Sequence, residues 1–367
     1  MFACFSKNER ARQFFSALAQ RDPQYVDLGV CRARKAVKYL SAALSIQLKR
    51  DQWYTDTTFS PLIAHEVERQ GSALLRRASG VSAILYWGAM NFPALREDLH
   101  VPYFIVTDGP FDPGDPTYVV EWSPKRWRRE YFRRQRAVYR GARHVFALTD
   151  WARDKIMRLH DLSQERVTRI GWGPAQENVK PNLRPAEPGF FISLGHDWHR
   201  KAMDIVAEAG ARFHAAHPEA WTLIAGRPGG LRVPERKGVI QIPQSLPGPV
   251  SQLLISQARG LILASRFESA GHVIYEALQA GTPVIGSRVC GLAEALRDPR
   301  CGFSIPAGDA GALAEAMESV WAADPLPQRE AALAGYKDAG GWARSAEIVD
   351  RQIQSALQLG VKSDEFL

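Results

Sequence analysis

The residues best placed to do chemistry lie in the run SRFESAGHVIYEALQAGTPVIGS, from Ser265 to Ser287. Glu268 and Glu276 stand eight residues apart, with Ser269, Gly271 and His272 between them. Leu261–Ala264 reads as a buried strand, and Ser269-Ala270-Gly271 turns the chain into a helix over Val273–Gln279. One glutamate then falls in the turn and the other within the first two helical turns. Both can face the carboxyl end of a sheet, where ligands of open α/β folds bind. Amides at a helix start favour phosphate, and Gly271 lets a ligand approach the backbone closely. Two solvated surface glutamates would satisfy the same spacing.

A second group is Gly195-His196-Asp197-Trp198-His199-Arg200-Lys201, directly after a strand at Phe190–Leu194. Arg200 and Lys201 at a sheet edge suit a diphosphate, one as a bidentate fork and the other as a point charge. An ordinary solvated pair is the alternative. His196 with His199, and His214 with His217, have metal-like spacing but no third ligand in reach, and no Asp-x-Asp signature is present. No metal and no cofactor are expected. In the first half, Asp108 follows a buried strand at Val101–Thr107. It either points into a cleft or caps a turn.

The elements that must position these groups alternate between strand and helix, which predicts an α/β fold. A chain of 367 residues with 46% hydrophobic content has room for two cores. Residues 1–175 are expected to form one Rossmann-like domain and 185–340 a second. A C-terminal helix over 341–367 is expected to pack back on the first. A Pro-rich linker runs from about Gly171 to Pro188. In the second half the expected strands are Phe190–Leu194, Thr222–Ala225, Val239–Ile242, Leu261–Ala264 and Pro283–Gly286. Helices are expected at Ala202–His214, Val250–Gln257 and Val273–Gln279, giving βαβ units and a parallel sheet.

The Glu-x7-Glu spacing with Gly271 inside it, then Glu276-Ala277-Leu278 and Gly281-Thr282-Pro283-Val284-Ile285, resembles the retaining GT-B glycosyltransferases, family 4 in particular. The resemblance continues through Gly291, Glu294, Gly302 and Pro306-Ala307-Gly308-Asp309, and covers about Phe190 to Met317. It is weaker in the first half, where Tyr103–Asp108 and Val145–Ile156 carry it. It implies two facing Rossmann-like domains with parallel sheets and a cleft between them. It also implies transfer of a sugar from a nucleoside diphosphate, UDP- or GDP-linked, to a saccharide or lipid-linked hydroxyl. By that resemblance Glu268 binds the donor sugar, Glu276 the ribose, and Arg200 and Lys201 the departing diphosphate. Amides at Ser269, Gly271 and His272 hold sugar and phosphates, and Asp108 positions the acceptor or takes its proton. The chain has Ala202 where the family usually has Gly. It opens MFACFSKNERARQFF, with no Gly-rich loop, so either the first strand is reduced or the acceptor side is unusual.

Charge divides unevenly. Residues 1–180 hold 29 Lys+Arg against 19 Asp+Glu, and residues 181–367 hold 18 against 20. Between Lys125 and Arg143 nine cations and one acid, Glu130, are interleaved with Trp127, Tyr131, Phe132 and Tyr139. A basic, aromatic helix over 124–143 suits an anionic membrane surface, or nucleic acid, or is simply solvated. A membrane surface is the expectation taken here, with nucleic acid not expected. No signal-peptide pattern and no membrane-length apolar run is present, which predicts a cytoplasmic protein, peripheral on the inner membrane face. The four cysteines show no CxxC pair and are expected as thiols. A rival keeps the fold without the enzyme: a degenerate relative that binds nucleic acid or anionic lipid through its basic half.

Overall fold

The computed structural model describes residues 1–6, 8–44, 60–88, 101–112, 125–174 and 179–364. The chain divides into two compact units, Met1–Gly171 with Trp342–Leu367, and Trp172–Gly341.

The first unit holds a six-stranded parallel sheet in the order β2-β1-β3-β4-β5-β6. Its strands are β1 (Phe2–Phe5), β2 (Tyr25–Asp27), β3 (Ala83–Trp87), β4 (Tyr103–Thr107), β5 (His144–Ala147) and β6 (Val167–Arg169). The helices among them are α1 (Glu9–Arg21), α2 (Lys35–Leu44), α3 (Pro61–Arg77), α4 (Lys125–Gly141) and α5 (Asp150–His160). The first strand is therefore present: all four residues of β1 are buried, and it pairs with both β2 and β3. In place of a Gly-rich loop, Asn8 caps α1 by accepting from the Ala11 amide at 3.1 Å. Thr149 caps α5 in the same way, accepting from the Ala152 amide at 3.0 Å.

The second unit holds β7 (Phe190–Leu194), α6 (Met203–Ala216), β8 (Trp221–Ala225), β9 (Val239–Ile242), α7 (Gly248–Gln257), β10 (Gly260–Leu263), α8 (Val273–Gln279) and β11 (Val284–Ser287). It continues with α9 (Leu292–Ala295), β12 (Gly302–Ile305), α10 (Ala310–Ala322) and α11 (Pro325–Ala339). Its six parallel strands run β12-β11-β10-β7-β8-β9. The chain builds outward from β7 to β9, then crosses back to β10 beside β7 and builds the other way. The order reverses between β7 and β10, and that switch point is where ligands of doubly wound sheets bind. β10 and β11 are buried along their whole length, which explains their unbroken apolar runs. α12 (Gly341–Asp364) returns to the first unit, where Trp342 packs on Phe14 and Trp87 and Ser345 donates to the Ile170 carbonyl.

Candidate functional site

The loop after β7 and the loop after β10 leave the sheet side by side at the switch point, and they carry the ionic centre of the second unit. Glu268 is only 7% exposed, and Lys201 is equally buried. The Lys201 ammonium and the Arg200 Nη1 both donate to the same Glu268 oxygen, Oε2, the latter at 3.2 Å. Arg200 Nη1 also donates to the Phe267 carbonyl at 3.2 Å. Burial alone would raise the Glu268 pKa. Lys201, then Arg200, outweigh it and hold the carboxyl at about 2, with His272 adding to their field. The group is a carboxylate at any physiological pH.

The supporting shell is built from both loops. Asp197 accepts from the Arg200 amide at 3.3 Å, and its Oδ2 lies 3.7 Å from Arg200 Nε. Arg266 grips Asp204 with two bonds of 2.9 and 2.7 Å and donates to the His199 carbonyl at 2.7 Å. The Arg266 amide donates to the Arg200 carbonyl, closing the two loops on each other. Lys201 lies along Gly195, where a Cβ would sit 2.9 Å from its Cγ and Cε. Gly226 approaches Gly195 more closely still, since its Cβ would fall 1.9 Å from the Gly195 carbonyl oxygen. Ala202, at φ 52°, turns the chain into α6 through the left-handed region.

Gly271, at φ +66°, packs against the carboxylate: a Cβ there would lie 3.5 Å from Glu268 Cγ and 3.3 Å from Ile274 and Leu292. Ser269 and His272 are half-buried in the same turn. Glu276 is half-buried in the first turn of α8, the end of the helix dipole that favours a carboxylate. The structure thus joins Arg200, Lys201 and Glu268 directly, with Gly271 packed on the last. Asp108 is exposed just beyond β4, in the first unit.

Sequence reasoning missed Arg227 and the use of His196. The Arg227 amide donates to His196 Nδ1 at 3.2 Å, so the ring keeps its hydrogen on Nε2. Burial, Arg227, Lys201 and Arg200 lower the His196 pKa and keep the ring neutral. The signal was the turn-rich run Gly226-Arg227-Pro228-Gly229-Gly230 at the end of β8.

The basic helix α4 differs from expectation in one respect. Trp127, Tyr131 and Tyr139 are buried and Phe132 is packed on the core, so the aromatics face inward. Arg133 pairs with Glu130, Arg134 with Glu68, and Arg136 and Arg140 with Asp161. No helix among the described residues is long and apolar enough to cross a membrane, and no group of three or more His, Cys, Asp or Glu among them is placed to hold a metal.

Residues 174–334 match the family model of the glycosyl transferases group 1. A D-inositol 3-phosphate glycosyltransferase of Streptomyces scabiei is 34% identical over 237 residues, 57% of this chain and 53% of the relative. The chain spans about half the length of the curated relatives it matches. A sucrose-phosphate synthase of Thermosynechococcus elongatus superposes with a TM-score of 0.68 at 16% identity, over 98% of this chain and 99% of the other. HepE of Anabaena, solved with UDP, superposes with a TM-score of 0.62 at 14% identity over 96% and 99%. The fold is that of the GT-B glycosyltransferases, and the second unit carries a glycosyl transferases group 1 domain.

Proposed function

We propose that the chain is a retaining glycosyltransferase that moves a sugar from a nucleoside diphosphate to an acceptor hydroxyl. The observation that carries this reading is the buried carboxylate of Glu268, held by Lys201 and Arg200 at the switch point of the second sheet. A carboxylate with a pKa of about 2 is no proton donor at neutral pH. It accepts hydrogen bonds from sugar hydroxyls, and its charge favours the cationic character the sugar acquires as the phosphate leaves. Arg200 and Lys201 take up the charge that develops on the departing diphosphate, so neither a divalent ion nor a cofactor is required. Glu276 binds the ribose, and amides at Ser269, Gly271 and His272 hold the sugar and phosphates. The acceptor attacks from the face the phosphate leaves, with Asp108 guiding its hydroxyl, and no protein nucleophile intervenes. UDP is the first donor nucleotide to test, because the structural relative from Anabaena was solved with it. The acceptor is a saccharide or lipid-linked saccharide of envelope polysaccharide or glycoconjugate synthesis. Family 4 membership and a cytoplasmic location complete the reading.

A thermal-shift screen against UDP, GDP, ADP, dTDP and CMP tests it. Ligand at a hundredfold excess over Kd stabilises the folded chain by about 2.7 kcal/mol. One nucleotide should raise Tm, and Lys201→Ala and Glu276→Ala should abolish the shift. A well-folded protein that responds to none of the five sinks the proposal.

A further inference from the structure

Arg227 follows the strand next to the ionic centre, yet its side chain is bound to nothing there. β8 pairs with β7 up to Leu194↔Ala225, so the loops after the two strands emerge side by side. Backbone bonds zip them together. The Gly195 amide donates to the Ala225 carbonyl, the Asp197 amide to that of Arg227 and the Trp198 amide to that of Pro228, each at 3.0 Å. The Arg227 amide in turn holds His196 Nδ1. The Arg227 backbone is thereby fixed to the turn that carries Arg200 and Lys201. The residue itself is exposed, and among the described residues its guanidinium makes no hydrogen bond or ion pair. The charges of Arg227, Lys201 and Arg200 all act on the His196 ring, which gathers the three cations around one point.

Charge balance gives the third cation a purpose. Within the loops after β7 and β10, Glu268 and Asp197 offset Arg200 and Lys201, and Arg266 is paired with Asp204. Glu276 adds one more acid at the start of α8. A nucleoside diphosphate therefore meets no positive excess there until Arg227 is counted. The strand order β10-β7-β8 also sets the sequence of groups along the sheet edge: Glu268, then Arg200 with Lys201, then Arg227.

We propose that Arg227 is a further donor-binding residue, which grips the phosphate on the nucleoside side of the diphosphate while Arg200 and Lys201 hold the phosphate that leaves the sugar. This role rests on the donor site proposed above. A guanidinium fork suits two phosphate oxygens. Glu268 orients the sugar, so the sugar-bearing phosphate falls to the adjacent pair and the nucleoside-bearing one to the cation a strand farther out. Charge develops on the sugar-side phosphate as its bond to the sugar breaks. Arg227 thus binds ground state and transition state alike, and it raises donor affinity without speeding the chemistry.

Arg227→Gln tests this. It should fold normally, because the residue is exposed and the bonds it makes are made by its backbone. The first probe is inorganic pyrophosphate, which carries no base, titrated calorimetrically into the full chain. Arg227→Gln should bind it about tenfold more weakly than the wild type. That difference should shrink in 0.5 M salt. The second probe is the sugar conjugate of the nucleotide chosen by thermal shift. Arg227→Gln should raise its KM about tenfold and leave kcat within about twofold, whereas Lys201→Met should lower kcat as well. Equal pyrophosphate binding by Arg227→Gln and wild type overturns the proposal. So does an equal fall in kcat and kcat/KM, which would put Arg227 at the breaking bond, or a lowered Tm without ligand, which would make it structural. Loss of pyrophosphate in Lys201→Met but not in Arg227→Gln leaves the donor site standing and excludes Arg227. Undiminished binding in Lys201→Met, or no binding by the wild type, removes the donor site itself and Arg227 with it.

Discussion

Replacing Glu268 by Gln should tighten the binding of a nucleoside diphosphate while abolishing sugar transfer. Without ligand, the carboxylate occupies both cations, accepting from Lys201 and, at 3.2 Å, from Arg200. A diphosphate must share those cations with a fixed negative charge. For two unit charges at a separation of about 6 Å and an effective dielectric constant near 20, the repulsion is about 3 kcal/mol. If solvent and relaxation remove half of it, about 1.4 kcal/mol remains, a tenfold gain in affinity for the Gln variant. Lys201→Met should act the other way and weaken the nucleotide at least tenfold, because it deletes the ammonium and leaves the carboxylate. Transfer should fall in Glu268→Gln by a factor on the order of 10² to 10³, since the charge that favours the cationic sugar is gone. Isothermal titration calorimetry with the nucleotide chosen by thermal shift gives the affinities, and turnover of its sugar conjugate gives the rate. Weaker nucleotide binding in Glu268→Gln would show that the carboxylate does not compete for the cations. Turnover within tenfold of wild type would remove Glu268 from the chemistry.

Two glycines beside the site should respond oppositely. Gly195→Ala meets the flexible Lys201 side chain first, so nucleotide affinity should fall about tenfold with a change in Tm of a few degrees at most. Gly226→Ala meets the Gly195 carbonyl at 1.9 Å, and its φ of +134° suits no side chain, so urea unfolding should show a loss of more than about 3 kcal/mol. Acid should weaken the first unit before the second. Burial first, and then nearby arginines, push buried His144 and His160 down to about 4 from 6.5. The folded chain therefore refuses protons that the unfolded chain accepts. Stability is full above pH 6.5 and is lost as pH falls toward 4, by about 2 kcal/mol for each ring at pH 5. The Glu268 contribution runs lower, present above about 4.5 and lost toward 2. Hydrogen exchange at pH 7 and 5 should show the loss in amides of β5 and α5, and His144→Gln should flatten it. A loss confined to the second unit would contradict the assignment.

Much of the second unit was legible from its alternating strands and helices, most plainly at β10 and β11, which are buried along their whole length and read as unbroken apolar runs. The bounds of β7, β9 and α8 coincide with those expected. In the first unit β1, β2, β3 and β6 escaped notice: runs of three or four residues such as Tyr25–Asp27 carry no measurable period, and the five residues of β3 form a short apolar run with no alternation. Arg200, Lys201 and Glu268 were legible as residue types in a motif. Their mutual pairing was not, because it spans 67 residues and depends on β7 lying next to β10. In α4 the helix was legible, but its composition was weighed without phase. Trp127, Tyr131, Gln135, Val138 and Tyr139 share one side, and that side is buried. In α2 the same periodicity makes an outward stripe. Period alone identifies a stripe, and only the packing around it identifies what covers it.

Ala202 shows how a departure from a family pattern acquires a physical meaning. The resemblance marked the position as usually Gly, and the structure supplies the reason: φ is 52°, in the left-handed region. A non-glycine residue there costs roughly 1–2 kcal/mol. The conformation persists because the surroundings fix it. The Ala202 amide donates to the His199 carbonyl, its own carbonyl accepts from Ile205 and Val206, and its methyl is fully buried. That tight turn sets Lys201 over Gly195 and delivers both cations to Glu268. The local strain is thus coupled to the ionic centre. A bulkier β-branched residue at this position would strain the turn that orients the cations, whereas glycine would relax it at the loss of one buried methyl, worth about 0.8 kcal/mol.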